Sequence, residues 1–531
     1  MLSNNFVAID FGTSITTARI YKNGRMTNPL SETQYIKYRV SAVLVSQNNI
    51  RCCSKPSTIP KGSVWIRNIK KLLGRTKSDL DEDMLKEEMY GAEICFDEYG
   101  RPYFHCNIGD EDKDEAIYRN VYPEDAFNAI LKAVKEQASN LLEKPMYSCC
   151  FTIPHFATHR ARRLMREEAR KLGMECIFMI KEPTAAGIPF LLPERKDRYE
   201  ENGNDVQEGD CILVFDIGGG TLDITIMRRE GNTYQVIGNG GNANIGGNNI
   251  DKCIFDYAVS LYENKFGHSP FSKQPKKRVK EQQAFLMNCC DVKESLSSNL
   301  NADLYFPENR ITRSDVEDME DMESYVLQIT RNVFEKDIIL PILQQCDACW
   351  RWILESYDLF VSDIQHILLV GGPSNIPAIQ KLFPADKILN SYANKQMIVV
   401  EGAMQAAVHH MNESNIEEMM EADIGVMMTA TNGKDEVFQC HIPRGVLLPT
   451  HVDKHHIIEF INGKAFMCIY RNMGKGKYCK EGVICLEQKE IKEKEQVDIQ
   501  VHIQVGIDGA LHYTVKDLNG ILLGDQDIIL S

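Results

Sequence analysis

The sequence predicts a chain in two parts: a long mixed α/β region built from two related halves, then a shorter region that is all β. Three observations carry this. "VFDIGGGTLDITI" (214–226) runs an apolar strand into an aspartate, a triple-glycine turn and a second, alternating strand, and "FVAIDFGTSITTARIY" (6–21) repeats that plan. Helical patterns lie between and beyond the two copies. From about residue 423 the chain breaks into short β-rich runs separated by Gly, Pro and Asn. A length of 531 residues is also too great for one ordinary core.

The two hairpins come first. Asp10 ends the apolar strand of the first copy, with Gly12, Thr13 and Ser14 in its turn. Asp216 ends that of the second, followed by Gly218, Gly219, Gly220 and Thr221. Asp10 matches Asp216, Gly12 matches Gly218, and Thr13 is expected near the place of Thr221. Glycine lets backbone approach another group closely. Two such turns facing each other would cradle a phosphate chain with backbone N–H groups, and their aspartates would hold a hard cation such as Mg²⁺ through water. A single copy would be explained equally well as an ordinary hairpin; the duplication favours the phosphate reading. Neither G-x-x-x-x-G-K-[ST] nor a helix-opening G-x-G-x-x-G occurs, and "GKGK" (474–477) is too short, which points away from P-loop and dinucleotide folds.

The helices follow. "VYPEDAFNAILKAVKEQASNLLE" (121–143) has Pro123 near its start, acids in the first turn and apolar residues at helical spacing. "ATHRARRLMREEARKLGM" (157–174) is a charged helix stopped by Gly173. Pro183 would open another helix and set Glu182 at its positive end. The basic run "KQPKKRVK" (273–280) reads as a solvated helix start, and the net charge of −15 argues against a nucleic-acid partner. No apolar run is long enough to span a membrane, and the N-terminus lacks a signal-peptide core, so a cytoplasmic protein with no membrane partner is expected. The seventeen cysteines then read as reduced thiols. Cys346 and Cys349 form a CxxC inside a helix, with no second ligand pair nearby for zinc.

With these segments in place the chain resembles a known family. "IDFGTS", "FDIGGGTLD" and "LLVGGPSNIP" (368–377) look like the nucleotide-contacting segments of the actin, sugar-kinase and heat-shock ATPase superfamily. "FTIPHF" (151–156), "KEPTAAGI" (181–188), "IKKLLGR" (69–75), "IGGNNID" (245–251) and "EGAMQAA" (401–407) are similar to the heat shock protein 70 (DnaK-like) chaperones. The resemblance runs in order over essentially the whole chain. It implies a two-lobed, actin-like ATPase domain at 1–410, a linker at 411–422, and an all-β sandwich substrate-binding domain at 423–531.

The resemblance also implies roles. Asp10 and Asp216 match carboxylates around Mg²⁺ and its water shell. Lys70 matches the lysine that reaches the γ-phosphate and the attacking water, with Lys71 as the alternative one residue on. Glu182 matches the carboxylate that couples the site to the opposite lobe. Thr13 and Thr221 offer hydroxyls to phosphate oxygens. Gly12, Ser14, Gly218, Gly219, Gly220, Gly246, Gly247, Gly371, Gly372, Pro373 and Ser374 match nucleotide-contacting positions, and Lys293 and Ser297 match the adenosine helix. ATP/ADP and Mg²⁺, with K⁺ beside the phosphates, are the implied cofactors. Unfolded or extended polypeptide, a J-domain co-chaperone and a nucleotide exchange factor are the implied partners.

Departures cluster around the adenosine. In "CCDVKESLSS" (289–298) Cys290, or Asp291 if the helix shifts, stands where the family has Glu, and Glu294 replaces the arginine that stacks on the base; Asn375 replaces a second arginine, and Gln396 an acid. Each lost guanidinium plane removes roughly 1 kcal/mol of stacking and cation–π attraction. "MNESNIEEMMEAD" (411–423) is acidic with few β-formers and reads as a linker. Phe466, Met467 and Ile469 are expected to line the peptide cleft or to serve as core. The sequence stops at Ser531, after the closing hairpin, so the family's helical lid is expected to be missing. The leading reading is an ATP-driven, peptide-binding chaperone. A nucleotide-gated adaptor with little turnover is second, and a small-molecule kinase of the same superfamily third.

Overall fold

A computed structural model describes residues 6–21, 35–38, 40–53, 59–80, 85–109, 116–155, 157–191, 206–230, 233–307, 325–389, 395, 397–411, 416–420, 423–429, 436–472, 478–488, 490–506 and 511–527. Two mixed sheets organise the long first part. In the five-stranded sheet, Phe6–Phe11 runs antiparallel to Thr16–Tyr21 and parallel to Ser148–Ile153, with Tyr35–Tyr38 and Glu175–Lys181 at the edges. The six-stranded sheet repeats the motif: Cys211–Ile217 runs antiparallel to Leu222–Glu230 and parallel to His366–Val370.

The duplicated plan is present down to the turn. Gly12 N–H donates to the Ile15 carbonyl at 3.0 Å, and Gly218 N–H to the Thr221 carbonyl at 2.9 Å. Phe11 pairs with Thr16 as Ile217 pairs with Leu222. This register corrects one expectation: Ile15, not Thr13, occupies the place of Thr221. All residues of Cys211–Ile217 are buried because both faces are covered. Leu213, Phe215 and Ile217 pack into one core; Ile212 and Val214 pack into another with the helix Ile398–Met411.

The helices form where their end signals stand. Pro123–Leu142 opens on proline with Glu124 and Asp125 in the first turn, and Asp125 Oδ2 accepts from the Tyr122 N–H at 3.2 Å. His159–Lys171 starts where the Thr158 hydroxyl accepts from Ala161 N–H at 3.1 Å, and Gly173 takes the left-handed conformation (φ 70°) just past its end. Glu182–Leu191 has Glu182 in its first turn and Pro183 beside it. Pro275–Ser298 begins inside the basic run, and Leu340–Ser356 contains both cysteines of the CxxC. Among the described residues no helix is long and apolar enough to cross a membrane.

The last part is one eight-stranded antiparallel sheet. Its path narrows between Thr450–Ile461 and Lys464–Asn472, which pair only at Ile461 and Lys464. Lys464–Asn472 pairs with Ile424–Thr429 and Tyr478–Glu487; Thr450–Ile461 pairs with Lys494–Val505, which leads on to Leu511–Asp517 and Leu522–Asp527. Inward alternates from both sets, including Val426, Ile469, Ile484, Ile499 and Tyr513, share one core. A Cβ at Gly524 would sit 2.8 Å from Leu486, so the two sets are in close contact.

The stretch read as a linker is paired at its centre. Ile416–Met419 is a strand: Ile416 and Glu417 pair parallel with Tyr234 and Gln235, and Glu418 and Met419 pair antiparallel with Leu448 and Leu447. Backbone pairing between two neighbouring strands does not depend on β-forming side chains, so the acidic composition concealed it. Residues 412–415 and 421–422 lie outside the described residues.

Candidate nucleotide site

The two hairpin turns meet. A Cβ on Gly219 would lie 2.0 Å from Ser14 Oγ, and one on Gly220 would lie 2.9 Å from Thr13 Oγ1, so only glycine lets the turns approach this closely. A third turn packs on the second: Gly247 N–H donates to the Gly218 carbonyl at 2.9 Å and Asn248 N–H to that of Gly219 at 2.8 Å. Gly371 closes the fourth side with φ 84°, its Cβ position 2.1 Å from the Ile217 carbonyl.

Between these turns lies a cavity of about 370 Å³, within the range of small-molecule sites. Asp10, Gly12, Thr13, Ser14, Lys70, Glu182, Asp216, Gly218, Gly219, Thr221, Gly247, Lys293, Ser297, Gly371, Gly372 and Pro373 all line it. Gly220, Gly246 and Ser374 support the wall from behind: the first two pack on each other, and Ser374 Oγ donates to the Gly371 carbonyl at 2.7 Å. Lys71 is directed toward Gly220, with its Cε 2.6 Å from where a Cβ would be; it is Lys70 that enters the cavity.

The floor is crowded with carboxylates. Lys70 Nζ is bonded to Glu182 Oε1. Thr152 Oγ1 donates to Asp10 Oδ1 at 2.7 Å, and the His155 N–H donates to Asp223 Oδ1 at 2.7 Å. Burial, then repulsion from Glu182, pushes Asp10 and Asp223 up to about 7 despite the opposing pull of Lys70. Burial and three neighbouring carboxylates push Asp216 well above the usual carboxylate range. Burial would lower Lys70, but Glu182 and Asp10 hold it above its ordinary value. One lysine therefore faces Asp10, Glu182, Asp216 and Asp223. That excess of negative charge in a buried polar cavity suits a divalent cation with oxygen ligands.

Three contributors were not singled out from sequence. Asp223 stands directly opposite Asp216 in the hairpin register; a carboxylate in an otherwise apolar alternation was the available signal. Thr152 lies inside the quoted "FTIPHF". Asp251 binds Lys293 Nζ at 2.7 Å and so ties the adenosine helix to the third turn, where Lys293 also donates to the Gly247 carbonyl at 3.2 Å.

At the far end the cavity is lined by Cys290, Glu294, Asn375, Ile376 and Lys395. Both replaced arginines are thus on its wall; Gln396 lies outside the described residues. Asn375 turns back to donate to the Gly372 carbonyl at 3.0 Å.

The chain matches the family profile described as Hsp70 protein over residues 7–519. The chain belongs to the Hsp70 family. It is 24% identical over 528 residues to heat shock 70 kDa protein 14 of Bos taurus, with 96% of each chain covered. The human protein of the same name is 24% identical over 531 residues, again with 96% of each covered. Chaperone protein dnaK1 of Synechocystis sp. is 24% identical over 533 residues, covering 96% of this chain and 70% of that one. The protein is a chaperone of the Hsp70 family, and dependence on ATP follows from that membership. Hsp70 proteins are ATPases that use ATP or ADP with Mg²⁺ and bind unfolded polypeptide and co-chaperones.

In this Hsp70 the three residues expected to line a peptide cleft or to serve as core divide between the two faces of their strand. Strand alternation puts Met467 and Ile469 in the core of the last sheet, while Phe466 points outward and is 62% exposed. The outward partners of Phe466 on its strand are Cys468 and Tyr470, both partly exposed. The sequence expectation mixed the two faces of one strand.

Proposed function

We propose that this chain hydrolyses ATP in the cavity between the hairpin turns and couples the nucleotide state to binding of extended polypeptide by its last sheet. The supporting observation is the convergence of Asp10, Lys70, Glu182 and Asp216, from four separate segments, on one cavity walled by close-packed glycine turns. Backbone of the turns would receive the phosphates, and Thr13 and Thr221 would add hydroxyls. Asp10 and Asp216 would hold Mg²⁺ through water, and the crowding of buried carboxylates, which raises both groups when no cation relieves it, fits that role. Mg²⁺, when bound, neutralises charge on the phosphate oxygens. Lys70 would leave Glu182 to steady the γ-phosphate and the attacking water, so that the reaction is mainly positioning and charge neutralisation. K⁺ beside the phosphates belongs to the same proposal.

In this reading residues 1–410 form the two-lobed actin-like ATPase part, and the two strand sets after 423 form the layers of a sandwich. Peptide would lie on the outward face carrying Phe466, where main-chain hydrogen bonds and side-chain pockets can hold an extended segment. Steady-state ATP turnover with and without an unfolded peptide tests the proposal: turnover that rises with peptide supports it. A second reading, a nucleotide-gated adaptor with little turnover, is favoured by Glu294 and Asn375 on the cavity wall. Tight nucleotide binding with turnover indistinguishable from a Lys70→Ala control would select it.

A further inference from the structure

The outward face of Thr450–Ile461, Lys494–Val505 and Leu511–Asp517 carries histidines that neither the nucleotide nor the peptide reading uses. The antiparallel register sets His451 opposite Gln504 and Asp453 opposite His502, and His512 opposite Gln504 on the next strand. His451, His502, Gln504 and His512 line one shallow depression. The rings of His451 and His502 lie 5.9 Å apart between centroids, with their planes at 39°. Two imidazoles sharing one zinc ion through bonds of about 2.0–2.1 Å would place their centroids roughly 5–6 Å apart. The observed spacing already suits a shared ion.

The carboxylates are placed to support it. Asp453 Oδ1 lies 2.8 Å from His502 Nδ1, which leaves Nε2 as the nitrogen to offer a metal. An imidazole tied through one nitrogen to a carboxylate is the usual form of a metal-bound histidine, because the tie fixes the ring and raises its basicity. Asp525 stands in the same relation to His512, 3.1 Å from Nε2, and is itself held by the Thr514 hydroxyl at 2.7 Å. Among the described residues no three His, Cys, Asp or Glu side chains already converge on one point, so loading requires the exposed rings to turn toward each other.

We propose that this face is a surface site for an imidazole-seeking divalent ion such as Zn²⁺, held by His451 and His502 with His512 beside them and supported by Asp453. Imidazole suits zinc, copper and nickel more than magnesium or calcium, so the site is distinct in chemistry from the carboxylate-rich nucleotide cavity.

The test uses the full chain. Zn²⁺ affinity is read by competition with a coloured chelator, and Co²⁺ serves as an optical reporter. The seventeen cysteines are rival ligands, and thiolate-bound cobalt announces itself by intense near-ultraviolet charge transfer that an imidazole site lacks. The wild type is expected to bind one equivalent with an imidazole-type spectrum, weakening on acidification because protons compete with the metal for imidazole nitrogen. The His451→Ala/His502→Ala variant should lose at least tenfold in affinity, and Asp453→Asn about tenfold. Zn²⁺ should raise the thermal midpoint of the wild type and not that of the double variant. Single His451→Gln replaces the double variant if the latter does not fold. Unchanged affinity in the histidine variants, or a purely thiolate spectrum in the wild type, overturns the proposal.

Discussion

Lys70 and Glu182, 112 residues apart in sequence, are bonded to each other across the floor of the nucleotide cavity. The lysine is therefore held in place by Glu182, and in the proposed reaction it would have to leave that carboxylate to reach a phosphate. Lys70→Ala is expected to preserve nucleotide binding while lowering turnover by about 10²–10³, the scale of losing one charge-stabilising donor. Single-turnover ATP hydrolysis alongside calorimetric binding checks this. Turnover close to wild type would shift the role to Lys71.

Adenosine recognition should be loose for this family. Restoring one plane with Glu294→Arg is expected to tighten ATP binding by about 0.5–1 kcal/mol, roughly two- to fivefold, through cation–π contact with the base. Calorimetry with ATP and GTP, for wild type and variant, reads the gain; an unchanged ATP affinity would mean that the helix Pro275–Ser298 does not place residue 294 over the base.

The acids of the cavity floor make stability depend on pH. Asp10 and Asp223 sit at about 7, against an ordinary value of 3.8. Between those values the folded chain holds more protons than the unfolded one, so these groups lower stability as pH rises through that window. Without nucleotide or Mg²⁺, the thermal midpoint should fall as pH rises from about 4 to about 7 and level off above that, and fall less in Asp10→Asn and Asp223→Asn. An equal fall in the variants would remove these groups as the cause.

Thr152→Val removes the hydroxyl that donates to Asp10. A hydrogen bond to a charged group is worth about 1.5–3 kcal/mol, so the proton on Asp10 should be held more tightly still. The expected result is weaker Mg²⁺ binding at neutral pH, so that more Mg²⁺ is needed for half-maximal turnover, with recovery as pH is raised, seen in Mg²⁺ titrations of ATP turnover.

On the last sheet, Phe466→Ser should weaken binding of a labelled apolar peptide while sparing stability. Ile469→Ala should cost about 2–5 kcal/mol of stability through an unfilled core cavity. Urea unfolding and fluorescence anisotropy separate the two effects.

Much of this arrangement was legible in the sequence because hairpins announce themselves locally: an apolar run, an acid and glycines fix where Asp10 and Asp216 will stand. Tertiary relations were harder to read. Asp223 faces Asp216 only through strand register, and Thr152 meets Asp10 only because their strands are parallel neighbours. Met467 and Ile469 were placed with Phe466 because a resemblance gives a neighbourhood, whereas the pleat decides the face one residue at a time. The strand at Ile416–Met419 was hidden because its pairing is made by backbone alone.

That strand has a consequence for self-association. Bonded along both edges, Ile416–Met419 covers the start of Thr233–Asn242 on one side and Leu447–Leu448 on the other. Were it to peel away, both would present unpaired backbone, and an uncovered strand edge is a template for pairing with another chain. These four residues thus cover two strand edges, and their release would expose both at once.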